Sequence, residues 1–385
     1  MDYNFDEIID RRGTNSLKWD FAAERGQPDG LLPMWVADMD FSAPQEILAD
    51  LQKAVSHGIF GYTEAGQDYY DALRGWFETR FRYVFGACDV LQTPGVVFAL
   101  AMAVNAFTDI GDSILIQTPV YYPFSEVIRA NERRIVSNPL VYSDGVYHID
   151  FADFEQKITE NDIKLFLLCS PHNPVGRVWT KTELLQVSEI CTAHGVIVVS
   201  DEIHCDFVWS GHMHTCFGLL DERALVATAP SKTFNLAGLQ VSNIIVKNAE
   251  LRRKFKVEID RAGYSQPNTL GLAACRSAYA NGAQWLDALK VYLSGNIAFA
   301  RCFIDEHLPR VQLVQTQGTY LLWLDFSDYG LSQKELDDRI VNDAKLWLDS
   351  GTMFGMEGTG FQRMNIASPR AMLSDALNRL KAVFG

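Results

Sequence analysis

The 385-residue sequence lacks the features that mark a membrane, fibrous or disulfide-built protein. No apolar run approaches the roughly 20 residues a helix needs to cross a bilayer. The longest uncharged stretch, residues 90–108, contains Gln92, Pro94, Gly95 and Asn105 and is continuously apolar only over 96–104, which predicts a buried helix. The seven cysteines (Cys88, Cys169, Cys191, Cys205, Cys216, Cys275 and Cys302) are odd in number and scattered, with no C-x-x-C pair. A disulfide framework is therefore not expected, and a reducing cytoplasm is the expected compartment. Positive charge is scarce: 34 Lys plus Arg stand against 48 Asp plus Glu, a formal charge of −14, with no segregated basic patch. That balance argues against nucleic acid or anionic membrane as a partner. Internal repeats and low-complexity segments are absent, and residues 1–10 carry four acids without an apolar core, so no signal peptide is expected.

What is present is an ordinary globular composition, 48% hydrophobic and 21% charged, in a chain long enough for two or three domains. Between residues 90 and 250, short apolar runs at 113–117, 164–170, 196–201, 224–228 and 242–246 alternate with helical stretches. Runs such as LFLLCS and VIVVSD are apolar on both faces, as strands of a helix-covered parallel sheet must be. A doubly wound α/β domain follows. In the run 196–201 polarity arrives only at the C-terminal end, where open α/β sheets place their ligands, so Asp201 is a candidate on pattern alone. From Gln284 one long amphipathic helix is predicted, with Leu286, Leu289, Leu293, Ile297, Ala300 and Ile304 on one side. Beyond it, residues 318–325 predict a strand, and 333–348 and 370–384 predict helices. The expected division is a large domain over 48–284 and a smaller α+β domain built from 1–47 with 285–385. The N-terminal arm, carrying Trp19, Trp35 and Phe41, is expected to dock.

Four segments can carry chemistry, each with a plainer reading beside it. TPGVV (93–97) opens the apolar helix and leaves free N–H groups at a positive dipole end, suited to a phosphate or simply to a buried helix start. SPHNPVG (170–176) is a rigid turn that either aims Asn173 into a crevice or only closes a loop. Asp201 in SDEIH can pair with a cationic heterocycle or a metal, or be solvated. Lys232 in APSKTFNLAG follows an apolar strand and precedes an apolar stretch. Its amine is thereby expected at the crevice, where a lowered pKa makes it nucleophilic.

Taken together, and in the order Gly95 region, Tyr121, Asn173, Asp201, Lys232, Arg363, these residues resemble the fold-type I pyridoxal-phosphate (PLP) enzymes of the class I/II aminotransferase superfamily. The resemblance covers nearly the whole chain. LPMWVADMDF (32–41), TPVYYPF (118–124), SDEIHCDFVW (200–209) and SKTFNLAGLQVSN (231–243) look like its MalY/PatB-type cystathionine β-lyase, or carbon–sulfur lyase, branch. The resemblance implies the PLP-dependent transferase fold, α/β with a mostly parallel central sheet in the large domain. It implies that Lys232 attaches the cofactor and then shuttles the substrate's α proton, while Asp201 keeps the pyridine nitrogen protonated. Asn173 would hydrogen-bond the ring's phenolate oxygen, and His204 stands where many relatives place a Tyr for that task. Tyr121 would stack on the ring. The Val96 and Val97 amides and the Ser231 hydroxyl would hold the phosphate, and Tyr62 would reach the phosphate of a neighbouring subunit, which implies a homodimer. Arg363 would clamp the substrate α-carboxylate, with Trp35, Tyr121 and Tyr320 lining an apolar substrate pocket. One departure is Gln240, eight residues after the lysine, where the wider superfamily commonly carries a phosphate-binding Arg; the LAGLQ segment fits the lyase branch.

The implied reaction is β-elimination of L-cystathionine and related L-cysteine S-conjugates in methionine and cysteine metabolism. It gives a thiol, pyruvate and ammonia, with Tyr121 or Lys232 protonating the departing sulfur. The alternative within the superfamily is an aminotransferase acting on an amino acid and a 2-oxo acid. More remote are a metal-dependent hydrolase using Asp201, His204, Asp206, His212 and His214, which lack a zinc-type spacing, and a non-enzymatic regulatory protein.

Overall fold

The computed structural model describes residues 3–385; the first two residues of the acidic start lie outside the described residues. At its centre is a seven-stranded sheet. Its spatial order is Val90–Thr93, Ser242–Ile245, Leu225–Thr228, Ile197–Asp201, Leu165–Cys169, Ser113–Ile116 and Arg134–Ser137. The five strands from Leu225–Thr228 to Arg134–Ser137 pair in parallel, whereas Ser242–Ile245 runs antiparallel to both of its neighbours. The strands 113–116, 165–169 and 225–228 are buried at every position, the burial expected where helices cover both faces. The helix Val96–Phe107 lies against the sheet through Val96, Ala99, Leu100, Ala103 and Val104, spaced by three and four residues.

The long helix spans Ala283–His307 and buries Leu286, Leu289, Leu293, Ala300 and Ile304. It packs on the helix Arg370–Phe384. A second, antiparallel sheet of four strands follows, ordered Gln312–Leu313, Leu321–Asp325, Phe361–Asn365 and Asp349–Ser350. Its register sets Arg363 opposite Trp323 on one side and Asp349 on the other.

One expected helix is corrected. Residues 333–348 are helical only over Gln333–Asp338, continue as a π-helical turn over Arg339–Asp343, and leave the helix at Lys345, which has φ of 53°. Leu346–Trp347 then forms a strand parallel to Leu32–Pro33. Leu336 and Ile340 keep helical spacing, but Leu346, Trp347 and Leu348 are three consecutive buried residues, which a one-sided helix cannot bury and a strand between two layers can.

The N-terminal arm docks: Phe5, Trp35 and Phe41 are buried, and a web of charges fastens residues 11–40. The Lys18 ammonium is fully buried and lies 2.6 Å from Asp40, which also accepts from Arg11 at 3.0 Å and from the Trp19 indole N–H at 3.1 Å. Arg11 pairs with Asp38 as well. Removing one partner of a buried pair leaves the other uncompensated. Lys18→Ala is expected to lower unfolding stability by about 3 kcal/mol, read as a drop in the denaturation midpoint at unchanged slope; a change within error of zero would show that Asp40 is held by Arg11 and Trp19 alone.

Candidate active site

Parallel strands deliver side chains to one edge. The chain leaving Ser113–Ile116 carries Tyr121, that leaving Leu165–Cys169 carries Asn173, the strand Ile197–Asp201 ends on Asp201 itself, and that leaving Leu225–Thr228 carries Lys232 in the short helix Pro230–Thr233. The Tyr121 N–H donates to the Asn173 carbonyl at 3.0 Å, tying the first two together.

The Lys232 ammonium donates to the carbonyl of Ala37 at 2.7 Å, and burial pushes its pKa down to about 8, with Arg363 lowering it further while Asp38 and Asp201 pull it up. The buried Asp201 carboxylate accepts the Ile203 N–H at 3.1 Å and has no ion-pair partner among the described residues. Burial raises it to about 7. The Ala37 carbonyl also receives the Tyr320 hydroxyl at 3.2 Å. Its segment is stitched down by two amides. Asn235 exchanges hydrogen bonds with Met39 and donates to the Phe41 carbonyl, and Asn365 donates to the carbonyls of Val36 and Asp38, at 2.7 Å each.

Arg363 is fully enclosed. It donates to the Asn173 side-chain oxygen at 2.8 Å and to the Trp35 carbonyl at 3.2 Å, pairs with the buried Asp349 carboxylate, and lies over the Phe354 ring at 4.7 Å. Its Nε is buried without a partner. Burial raises the Asp349 carboxyl and Arg363 pulls it back. Sequence reasoning passed over Asp349 and also Tyr122, whose ring packs on Tyr121 at 5.1 Å.

His204 is buried with Nδ1 unpartnered, its ring 5.7 Å from that of Tyr320, and burial holds it well below the usual imidazole range, so it is neutral. Tyr121 is half-buried and its phenol is raised by burial. The helix 96–107 begins after Gly95 with no side-chain cap, leaving the Val96 and Val97 N–H groups for a ligand; Ser231 is half-buried beside Lys232. Gln240 is exposed. Trp35 stacks on Trp347 at 4.5 Å. Tyr62 stands apart from this group, 95% exposed beside the exposed Ile59 and Phe60. Asp201, His204, Asp206, His212 and His214 do not converge: His214 pairs with Glu202, Asp206 accepts from Thr233, and no three His, Cys, Asp or Glu side chains among the described residues are grouped to hold an ion.

The chemistry of these groups fits pyridoxal 5′-phosphate. A buried carboxylate without a cation suits a pyridinium nitrogen, an uncapped helix start suits a phosphate, an amine near neutrality suits an aldehyde carbon, and the orphaned Nδ1 of His204 marks a polar wall awaiting a partner.

Fold and site together define a fold-type I PLP-dependent enzyme. The chain belongs to the family described as aminotransferase class I and II, whose model matches residues 36–380. It is 45% identical over 383 residues, 98% of this chain and 99% of the relative, to the protein named cystathionine beta-lyase PatB of Bacillus subtilis. Among solved structures it is similar to cystalysin from Treponema denticola, which contains a pyridoxal 5′-phosphate cofactor, with a TM-score of 0.96 and 36% identity over 100% of this chain and 99% of that one. It is similar also to the PLP-bound C–S lyase from Staphylococcus hominis, with a TM-score of 0.93 and 34% identity over 100% and 98%.

The raised Asp201 carboxyl carries a stability consequence. It titrates near 7 when folded and near 3.8 otherwise, so the folded chain holds the extra proton between these values. Stability therefore falls as pH rises through that window, and the full penalty stands above it. Cofactor-free Asp201→Asn is expected to be more stable than the unaltered cofactor-free protein by about 3–5 kcal/mol at pH 8, with the gap closing toward pH 4. Thermal melts across that range check it, and a gap of opposite sign at pH 8 would mean that Asp201 is stabilised by Lys232 more than burial penalises it.

Proposed function

We propose that this protein catalyses PLP-dependent β-elimination of L-cystathionine and related L-cysteine S-conjugates, releasing a thiol (homocysteine from cystathionine), pyruvate and ammonia. The observation that carries the reading is the Lys232 amine, poised near neutrality on the Ala37 carbonyl in the same crevice as the unpaired Asp201 and the enclosed Arg363. The relatives named cystathionine beta-lyase and C–S lyase support the reaction class.

Each residue then has a task. Arg363 receives the substrate α-carboxylate on its free edge, while Asn173 and Asp349 fix the plane of the guanidinium. Lys232 would attach the cofactor, Asp201 would keep its ring nitrogen protonated, and Asn173, His204 and Tyr121 would hold its ring. Val96, Val97 and Ser231 would hold the phosphate, and Gln240 stands where a cationic partner is common. PLP, when bound, supplies the electron sink that makes the substrate's α proton removable. Lys232 takes that proton at Cα; the Cβ–S bond breaks with its electron pair leaving on sulfur, and Tyr121 or Lys232 returns a proton to the thiolate. Trp35 and Tyr320 bound the substrate side of the crevice.

The chain divides into a large unit over 48–284, which carries Lys232 and Asp201, and a small one from 1–47 with 285–385, which carries Arg363. The working protein is a homodimer in which Tyr62 meets the phosphate of its partner; the outward Ile59, Phe60 and Tyr62 support this. Seven free thiols suit a reducing cytoplasm; no helix among the described residues is long and apolar enough to cross a membrane.

Purified protein supplied with PLP is expected to absorb in the visible, lose that band on borohydride treatment, and release pyruvate from L-cystathionine without an added 2-oxo acid. Lys232→Ala is expected to lose the band and at least about 10³-fold of the rate. Amino exchange requiring a 2-oxo acid, with no pyruvate, would replace the lyase reading with the aminotransferase one.

A further inference from the structure

A cavity of about 550 Å³ opens beside the Arg363 cluster, sharing Trp35 and Asp349 with it. Its size lies in the range of about 300–1,000 Å³ typical of small-molecule sites. One wall is apolar, formed by Trp35 stacked on Trp347. Its charges are unequal in their commitments. Asp337 accepts from Ser350, Gln333 and Gln362, and Asp349 is taken by Arg363. Arg25 and Glu126 are both exposed lining residues, and neither forms an ion pair with the other or with any described residue. The Arg25 guanidinium makes one hydrogen bond, to the Phe21 carbonyl at 3.2 Å, and lies 5.9 Å from the Trp35 ring. Tyr122 joins the two spaces: its ring packs on Tyr121, and its phenol, raised by burial, also feels Asp349, Arg363, Glu126 and Arg25.

A cavity that shares Trp35 and Asp349 with the Arg363 cluster and is lined by two stacked indoles, one unpaired cation and one unpaired anion matches an elongated thioether ending in a second amino-acid head. We propose that this cavity receives the leaving-group half of L-cystathionine, with Arg25 taking its distal carboxylate and Glu126 its distal ammonium, so that these two residues select a zwitterionic leaving thiol over a simple alkyl one. The inference rests on the lyase reading above. A carboxylate lying against the Trp35 face excludes water from the Arg25 contact, which makes the pair stronger than one in open solvent. The apolar wall holds the methylene and sulfur chain of either substrate, so selection falls to the charged end.

The test compares kcat/KM for L-cystathionine with kcat/KM for S-ethyl-L-cysteine, by pyruvate release from PLP-loaded enzyme. Arg25→Ala and Glu126→Gln are each expected to lower the ratio of the two, the first by about tenfold, and Arg25→Lys to restore most of it. Both side chains are exposed and single hydrogen bonds at most depend on them, so the variants fold. A ratio unchanged in either Arg25→Ala or Glu126→Gln overturns the assignment, including the case where both substrates slow equally. Failure of the unaltered enzyme to release pyruvate from either substrate is a different result, and removes the lyase reading itself.

Discussion

The position of one backbone oxygen governs the site. The Ala37 carbonyl accepts from Lys232 and from Tyr320, and so joins the N-terminal arm to the short helix after a central strand of the large sheet and to the segment entering a strand of the small one. The Arg11, Lys18, Asp38 and Asp40 web lies behind it. A lysine on a four-carbon stem has wide reach; what fixes its amine in the crevice is this acceptor and the burial around it. The same enclosure that lowers the amine toward neutrality raises Asp201, so the two groups are brought toward readiness by one physical cause rather than by contact with each other.

The surface and the site have opposite characters. A formal charge of −14 describes the outside. Inside, Arg363, Lys232 and an uncapped helix start make a local field suited to an anionic cofactor and an anionic substrate head. Arg363 is prevented from being an isolated buried cation by Asp349, and prevented from being fully satisfied by its free Nε. That intermediate state, with enough partners to hold the plane and an edge left open, suits the carboxylate-binding role proposed for Arg363.

Much of this was legible in the sequence for stated reasons. Asp201 announced itself because a carboxylate ends an otherwise apolar strand, and the parallel-sheet rule says which end binds. Asn173 and Lys232 followed from rigid or apolar surroundings. Arg363 needed the family resemblance, since nothing in FQRMNIA alone separates it from a surface arginine. Asp349 was out of reach: its role comes from the register of two antiparallel strands, which pairs it with Arg363 across 14 positions. Tyr122 was hidden by its neighbour. The antiparallel direction of Ser242–Ile245 could not be read either, because burial on both faces gives parallel and antiparallel strands the same apolar run. The broken helix at 339–347 has a similar origin. Its end is set by pairing with Leu32–Pro33, more than 300 residues away in sequence, and local periodicity carries no record of that partner.

The stitching of the arm by Asn235 and Asn365 has a further meaning. Apart from the reactive Lys232, and Tyr320 and Arg363 beside it, the side chains that stitch the backbone of the Ala37 segment to the body on the site side are two amides, Asn235 and Asn365. An amide neither gains nor loses a proton anywhere near the range in which Lys232 and Asp201 change charge. These two ties therefore keep their strength while Lys232 and Asp201 change charge, and hold the segment when the Lys232 contact itself alters.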